Sequence, residues 1–214
     1  MRTISVAAPT HGRVLVRDVG TPCGLVLGFH GYMENADIQM ERLAAMPDTE
    51  KWTLVSVQGL HRFYRGRANE VVASWMTRQD RDDAIRDNIA YIDNVVDATR
   101  AKSEPIVCVG FSQGVAMAFR AAVRGRVKAA GVVAVGGDVP PELLSDANSW
   151  FPPVLLLRGL RDELYAAEKI GQDYRALRPR VDAVEMREYN GAHEWTEDVT
   201  RSVGKFLQGI ALLP

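Results

Sequence analysis

A serine between two glycines is the first candidate for chemistry in this sequence. Residues 110–114 read Gly-Phe-Ser-Gln-Gly and place Ser112 in a G-x-S-x-G pattern. In hydrolases this pattern forms a sharp strand-to-helix turn that exposes the serine hydroxyl at the positive end of the helix. Ile106–Phe111 has the composition of a buried strand and residues 115–122 that of a helix. The alternative is an ordinary turn serine, but the flanking elements favour a nucleophile.

A serine nucleophile needs a general base, and chain order selects one histidine. In hydrolases with this serine turn, the catalytic residues follow the order serine, acid, histidine. Of the four histidines, His11, His30, His61 and His193, only His193 follows Ser112. It lies between a strand-like run and the C-terminal helical pattern, where a loop can bring its ring over the sheet edge. The alternative is a surface histidine without a role.

The acid should follow a strand between the serine and the histidine. Val154–Arg158 is the clearest strand there, and Asp162 follows it closely. Asp162 also resembles a helix N-cap, which is the alternative interpretation and is compatible with the catalytic one. Glu163 is a neighbour that could substitute, and Asp138 is the second choice. In the expected mechanism Ser112 attacks an acyl carbonyl, the histidine takes its proton, and the aspartate holds the imidazole tautomer.

Acyl transfer also requires backbone donors that face the developing oxyanion. One donor is expected from the N–H of Gln113, directly after the nucleophile. The other is expected from the loop after an early strand, where the sequence reads His30-Gly31-Tyr32-Met33. We assign it to the Tyr32 N–H, with Met33 as its neighbour. His30 is expected to brace this loop, and a satisfied core histidine is the alternative.

Alternating strand and helix patterns indicate how these residues are positioned. The predicted fold class is α/β, with a mainly parallel central sheet and helices on both faces. Near-continuous apolar runs predict five buried strands, and two weaker runs predict further strands, the last nearer an edge. The five are Leu25–His30, Trp52–Val57, Ile106–Phe111, Ala129–Val135 and Val154–Arg158; the weaker ones are Val14–Val16 and Val181–Glu188.

Three apolar stripes at helical spacing predict core-facing helices. The first is flanked by Asp80, Asp82 and Asp83 at its start and by Arg100 and Lys102 at its end, which complements the helix dipole. The stripes consist of Ile85, Ile89, Ile92 and Val96; of Leu164, Ala167, Ile170, Tyr174 and Leu177; and of Val199, Val203, Phe206 and Ile210.

Composition narrows the class of protein. With 214 residues and a formal net charge of −1, the chain suits one globular domain and gives no reason to expect nucleic acid as a partner. No signal-peptide pattern or 18-residue apolar run occurs, so we expect a cytoplasmic protein without stable membrane insertion. Two distant cysteines do not suggest a disulfide scaffold, and Cys108 in its apolar run is expected to be a buried thiol. No metal-binding, P-loop or dinucleotide motif is present, so neither metal nor cofactor is expected.

Several of these segments together resemble one known family. The His30-Gly31 turn, the Phe-Ser-Gln elbow, Arg158-Gly159 before Asp162, and Gly191-Ala192-His193 resemble the phospholipase/carboxylesterase family, which includes acyl-protein thioesterases and bacterial carboxylesterases. The resemblance implies a single α/β-hydrolase domain over residues 1–214 with no large cap domain. It also implies esters or thioesters as small-molecule substrates, including lysophospholipids, and no cofactor. Ala73-Ser74-Trp75 resembles the family's tryptophan segment near the acyl pocket, which implies that Trp75 and Met33 lie at the substrate pocket.

Two departures from the family pattern concern the substrate rather than the triad. Val115 stands where the family usually has a second glycine after the elbow. The oxyanion loop usually reads His-Gly-Leu-Gly-Asp in the family, whereas here it reads His-Gly-Tyr-Met-Glu over residues 30–34.

Residues 61–67 combine arginines with aromatic side chains. Nucleic-acid binding is one interpretation, but a single short cluster in a nearly neutral chain disfavours it. A solvated loop is the ordinary alternative. Because the segment follows the Trp52–Val57 strand, it should lie at the carboxyl edge of the sheet. Our hypothesis is that Arg62, Arg65 or Arg67 contacts an acidic group of the substrate.

Three functions are compatible with this sequence. A carboxylic-ester or thioester hydrolase is the leading hypothesis, since a complete set of serine, histidine, aspartate and His-Gly loop is not needed for binding alone. A catalytically silent binding module and an acyltransferase with the same triad are the alternatives. A homodimer is compatible with the sequence, which does not determine the oligomeric state.

Overall fold

Seven strands of the described chain form one central sheet, in which one edge strand is antiparallel and the other is parallel to its neighbour. The computed structural model describes residues 1–99, 104–126 and 128–211. The strand order is β1-β3-β2-β6-β7-β8-β9, and β1 alone is antiparallel to its neighbour. The seven strands are β1 (Val14–Arg17), β2 (Gly24–Phe29), β3 (Trp52–Val57), β6 (Ile106–Phe111), β7 (Gly131–Val135), β8 (Val154–Gly159) and β9 (Val184–Tyr189).

The strand predictions are confirmed to within three residues at each end. Every residue of β2, β3, β6, β7 and β8 is buried, because helices cover both faces of the sheet. β9 forms the edge, as its alternating pattern indicated, and most of its side chains are exposed. The strand order changes direction between β2 and β6, so the connections that follow these two strands lead to opposite sides, and the crevice between them is the usual ligand position in such sheets.

Six α-helices lie in the described residues; five connect strands and the sixth follows the last strand. They are α1 (Ala36–Ala44), α2 (Arg81–Thr99), α3 (Gln113–Arg124), α4 (Pro141–Ser145), α5 (Ala167–Leu177) and α6 (Glu197–Ala211). The first and third predicted stripes are confirmed in α2 and α6, where they face two separate apolar clusters, one on each side of the sheet. The predicted terminal charges Arg100 and Lys102 lie outside the described residues. No helix of the described chain is both long enough and apolar enough to cross a bilayer.

The second stripe is wrong at its beginning. Helix α5 starts only at Ala167, so Leu164 precedes it and its side chain is largely exposed. Ala167 is exposed as well, and the core contacts of α5 come from Ile170 and Leu177. The apolar spacing continues upstream by coincidence, because the backbone from Gly159 to Ala166 is held in a turn by other contacts described below.

Residues 61–67 do not form a loop. β4 (His61–Arg65) pairs with β5 (Glu70–Ser74) in an antiparallel hairpin outside the main sheet. The hairpin contacts the segment after β2 through a bridge between Glu34 and Ala73. The exposed, arginine-rich β4 lacks the apolar alternation of a half-buried strand, and this is why its pattern did not predict a strand.

Candidate active site

Ser112 lies on a strained turn between β6 and α3. Its φ of 51° is a left-handed value that non-glycine residues rarely adopt. The turn is held by a hydrogen bond from the Ser112 N–H to the Val135 carbonyl, 2.9 Å long. Gly114 permits the close approach of β2, since a Cβ there would lie 2.1 Å from the Phe29 carbonyl oxygen. The turn therefore projects the serine side chain from the carboxyl end of the sheet, at the N-terminus of α3.

His193 connects Ser112 and Asp162. Its Nε2 lies 2.8 Å from the Ser112 Oγ and its Nδ1 lies 2.9 Å from the Asp162 Oδ2. An ionised carboxylate only accepts hydrogen bonds, so Nδ1 carries the proton and Nε2 is free to accept from the serine hydroxyl. The Asp162 side chain is fully buried, whereas that of His193 is 19% exposed. The geometry is that of a nucleophile, a base and an orienting acid.

The second oxygen of Asp162 is also occupied. Its Oδ1 accepts the N–H groups of Leu164 and Tyr165, each at 2.9 Å. Asp162 does not cap α5, whose N-cap residue is Ala166. Of the two alternative acids, Glu163 is exposed, and Asp138 is exposed with Lys169 3.9 Å away. Only Asp162 is brought to the histidine.

A buried arginine holds the turn that carries the acid. Arg158 near the end of β8 is 7% exposed, and its Nε donates to the Tyr165 carbonyl at 2.8 Å. Its Nη1 donates to Glu188 on β9 at 2.6 Å. Together with a longer bond to the Leu160 carbonyl, these contacts hold the backbone on both sides of Asp162. No sequence pattern indicates them. A lone arginine within an apolar strand was the available signal, because a buried guanidinium requires partners.

The loop that carries His193 is fixed from β9 and from β7. The Tyr189 hydroxyl donates to the Glu194 carbonyl at 2.7 Å, and burial raises the pKa of this tyrosine to about 12. Gly136, at a φ of 63°, lies beneath the imidazole, and a Cβ there would be 3.1 Å from the His193 Cε1. A side chain at this position would displace the ring, so glycine is required both for backbone conformation and for space.

The Gly31–Glu34 turn has one N–H without an acceptor. The Gly31 N–H donates to the Glu34 Oε2 at 2.8 Å, the Met33 N–H to the Ala73 carbonyl at 3.2 Å, and the Glu34 N–H to the Gly31 carbonyl at 3.3 Å. Within the described ranges, no acceptor is found for the Tyr32 N–H or for the N–H of Gln113 at the first position of α3. These are the two donors that the sequence assigned to an oxyanion.

Buried polar contacts join this turn to the elbow. His30 accepts the Gly59 N–H on Nε2 at 3.0 Å, and its Nδ1 lies 2.7 Å from the Gly31 carbonyl. Burial lowers the pKa of His30, so the ring is neutral and serves as a brace, as expected. The Gln113 side chain accepts the Trp75 N–H at 3.0 Å, and the Trp75 indole donates to the His30 carbonyl at 2.8 Å.

The four side chains assigned to a substrate pocket occupy different positions. Trp75, expected near the acyl pocket, is fully buried among core residues and supports the turn through its hydrogen bond to the His30 carbonyl. Arg62 donates to the His11 carbonyl, on the face of β4 opposite to Phe63. Arg65 lies on the same face as Phe63, whose ring is 5.9 Å from that of Tyr32. Arg65 donates to the Met33 carbonyl at 3.2 Å, and Met33 itself is partly exposed.

A cavity of about 680 Å³ lies away from this site, between the N-terminal segment and α2. Ser5, Leu60 and Asp87 are among the residues that line it, and none of Ser112, Asp162 and His193 does. This cavity and the Ser112–His193–Asp162 arrangement therefore lie in different places, and the hydrogen-bond chain between three reactive groups is the stronger criterion for chemistry.

Two charged residues, one in the Gly31–Glu34 turn and one on α1, were also not indicated by any sequence pattern. The Glu34 carboxylate forms a bidentate pair with Arg42 of α1, with both N–O distances 2.6 Å. The Arg42 guanidinium lies 4.4 Å from the centroid of the Phe111 ring. Glu34 belongs to the predicted oxyanion loop over residues 30–34, but nothing in the sequence indicates that Arg42, eight positions later, binds it.

Comparisons with known proteins show the family and the fold to which this chain is similar. The sequence pattern of the phospholipase/carboxylesterase family matches residues 20–211. Acyl-protein thioesterase 2 of Zea mays has a similar structure, with 19% identity and a TM-score of 0.74 over 94% of this chain and 100% of that one. Esterase PE8 has 22% identity and a TM-score of 0.73, over 93% of this chain and 98% of that one. The Bacillus cereus carboxylesterase has 15% identity and a TM-score of 0.70, over 93% of this chain and 94% of that one.

At these identities the structural likeness shows the shared fold alone, and no curated protein matches the chain by sequence. The family match is of a different kind, because it spans the elbow, the acid turn and the histidine loop in one continuous stretch. It supports hydrolase activity of the esterase or thioesterase type and confirms the resemblance found in the sequence. The chain belongs to the phospholipase/carboxylesterase family of α/β-hydrolases.

Proposed function

We propose that this chain is a serine esterase that cleaves carboxylic esters or thioesters through an acyl-enzyme on Ser112. The observation that carries the proposal is the position of His193, within hydrogen-bond distance of both the Ser112 hydroxyl and the buried Asp162 carboxylate. Serine hydroxyls are weak nucleophiles, and a base at this distance is what activates them.

The proposed reaction uses the same base twice. His193 takes the proton of Ser112 as the Oγ attacks the acyl carbon, and then returns it to the leaving alcohol or thiol as the ester bond breaks. Asp162 stabilises the imidazolium and fixes its tautomer. Water then enters, gives its proton to His193 and attacks the acyl-enzyme, which releases the acid and restores the serine hydroxyl.

The N–H groups of Tyr32 and Gln113 are the proposed oxyanion donors, and we call the Gly31–Glu34 turn, which carries Tyr32, the oxyanion turn. Their support is the hydrogen-bond inventory of the turn, in which every other N–H from Gly31 to Glu34 is already used. Met33 is therefore a poor candidate for the second donor, although its side chain can still contact substrate. Loss of one such donor typically lowers kcat by about 10²–10³.

The activated serine can be tested without knowledge of the substrate. We expect a fluorophosphonate probe to modify Ser112, as mapped by peptide mass spectrometry, and expect no adduct in Ser112→Ala. His193→Ala should slow the modification by more than about 10³-fold, since the base is lost. The matched control is His61→Ala, an exposed histidine on β4, which should react like the wild type. No adduct on folded wild-type protein would favour a silent binding module.

Substrate class requires a second experiment. Hydrolysis of p-nitrophenyl esters and acyl thioesters of increasing chain length gives the preferred bond and acyl group, and added alcohols or amines reveal acyl transfer by their products. For an acidic substrate group, Arg65 is the better placed of the two β4 arginines, because it lies on the face nearest the oxyanion turn, where an anionic group would compete with Glu70 for its guanidinium. Arg65→Ala should weaken hydrolysis of anionic esters relative to neutral ones, whereas Arg62→Ala should affect both equally.

A further inference from the structure

Glu34 and Arg42 form an ion pair whose side chains are mostly, but not fully, buried. Their side chains are 17% and 15% exposed, whereas the Arg13–Asp37 pair, which also involves α1, is 41% and 55% exposed. Burial of two charges costs several kcal/mol, which the mutual attraction often fails to exceed. Apolar residues of similar volume would stabilise the fold at least as well, so stability alone is a weak explanation for a buried pair here.

The carboxylate of this pair fixes the oxyanion turn. Glu34 Oε2 accepts the Gly31 N–H at 2.8 Å while both of its oxygens are held by Arg42. Gly31 directly precedes Tyr32, whose N–H faces no acceptor. Met33, the next residue, has a left-handed φ of 60°, which a non-glycine residue keeps only under external constraint. The Glu34 side chain provides that constraint on one side of Tyr32, and β5 provides it on the other.

The guanidinium of the pair contacts the other two segments of the site. Arg42 lies 4.4 Å from the centroid of Phe111, the residue before Ser112, and 5.6 Å from that of Trp195. The Phe111 ring is in turn 5.2 Å from the imidazole of His193. One side chain from α1 thus connects the oxyanion turn, the nucleophile elbow and the histidine loop through direct or single-residue contacts.

From this arrangement we propose that Glu34 and Arg42 are positioning residues, which set the Tyr32 N–H relative to Ser112 and so determine how well the oxyanion is stabilised. The inference rests on the proposed esterase function. Neither residue touches the reacting atoms. Their effect should appear in kcat, because a displacement of about 1 Å in a catalytic group costs about 10²-fold in rate while ground-state binding is left nearly unchanged.

The test compares graded substitutions in this chain, with a p-nitrophenyl ester as the substrate. Glu34→Ala removes the acceptor of the Gly31 N–H and the partner of Arg42, and we expect kcat to fall about 100-fold with KM changed less than threefold. Glu34→Gln keeps an amide oxygen for Gly31 and should lose about tenfold. Arg42→Met should resemble Glu34→Ala, and Arg42→Lys should recover part of the loss. Asp37→Asn, in the exposed pair, is the matched control and should equal the wild type.

A second readout separates positioning from general loosening of the fold. A ¹³C-labelled trifluoromethyl ketone forms a hemiketal on Ser112, and the pH dependence of its ¹³C shift gives the pKa of the hemiketal hydroxyl. A well-placed oxyanion hole lowers that pKa, so we expect it to rise in Glu34→Ala and Glu34→Gln and to stay constant in Asp37→Asn. Glu34→Gln keeps the carbonyl acceptor and decides the matter if Glu34→Ala fails to fold.

The outcomes distinguish the two proposals. If the wild type hydrolyses esters through Ser112, but folded Glu34 and Arg42 variants keep wild-type kcat and hemiketal pKa, the positioning role is refuted and the esterase assignment stands. If KM rises with kcat unchanged, the pair acts on substrate binding and the positioning role is again wrong. If the wild type shows neither adduct nor hydrolysis, both proposals fall together.

Discussion

Replacement of Asp162 by asparagine tests the proposed triad most directly, because the surrounding hydrogen bonds dictate how the new amide sits. Oδ1 of Asp162 accepts two backbone N–H groups, from Leu164 and Tyr165, and Oδ2 faces the His193 Nδ1. In Asp162→Asn the amide oxygen must stay on the two N–H groups. The opposite orientation would leave both donors buried without acceptors, at a cost of about 1–3 kcal/mol each.

The amide nitrogen then faces the imidazole and reverses its tautomer. Since the NH₂ group is a donor, His193 Nδ1 must accept, and the proton moves to Nε2, which points at the Ser112 Oγ. A protonated Nε2 cannot take the serine proton. The same tautomer inversion lowers kcat by about 10⁴ in serine hydrolase triads, which corresponds to about 5 kcal/mol of transition-state stabilisation.

The assay is steady-state hydrolysis of a p-nitrophenyl ester, with the rate of fluorophosphonate labelling as a second measure of serine reactivity. We expect both to fall by about 10⁴ in Asp162→Asn, with little change in thermal stability, because the buried side chain keeps its size and its two backbone contacts. The controls are Glu163→Gln and Asp138→Asn, the two carboxylates that the sequence offers as alternative acids. Activity within tenfold of the wild type, or an equal loss in either control, would refute the assignment of Asp162.

Three further predictions concern the scaffold of the site. Arg158→Gln should lower the free energy of unfolding by about 2 kcal/mol and should also lower kcat. The reason is that the turn carrying Asp162 and the half-exposed Glu188 both lose the guanidinium that binds them. Chemical denaturation measures the first effect and ester kinetics the second. Gly114→Ala should abolish activity or folding because its Cβ overlaps the β2 backbone, whereas Gly209→Ala, which meets nothing within 4 Å on α6, should raise stability by about 0.5 kcal/mol. The pKa of His30 is lowered by burial, so the unfolded chain binds the proton more readily, and stability should fall as the pH drops below about 6.5. The free energy of unfolding, measured by urea denaturation between pH 5 and 7, should depend less on pH in His30→Asn than in the wild type. An unchanged pH dependence would contradict the assignment to His30.

The sequence alone determined the sheet and the order of the reactive groups. Strands covered on both faces must be apolar throughout, so β2, β3, β6, β7 and β8 were visible as runs. The proposed catalytic residues were found because the serine elbow is a local strand–turn–helix pattern, and because chain order leaves only one histidine after it. These features depend on near neighbours in the chain, and a pattern can represent them.

The tertiary structure alone decided what surrounds and aligns those groups. Leu164 fits a helical stripe, but the contacts of Arg158 and Asp162 hold its segment in a turn, so long-range bonds override local periodicity. The sequence assigns the oxyanion donor to the Tyr32 N–H with Met33 as its neighbour, but only the structure shows that the Met33 N–H is already bonded to the Ala73 carbonyl. The pair of Glu34 and Arg42 joins a loop to a helix and encloses both charges, and burial of this kind depends on how distant segments meet, for which one sequence carries no periodic signal.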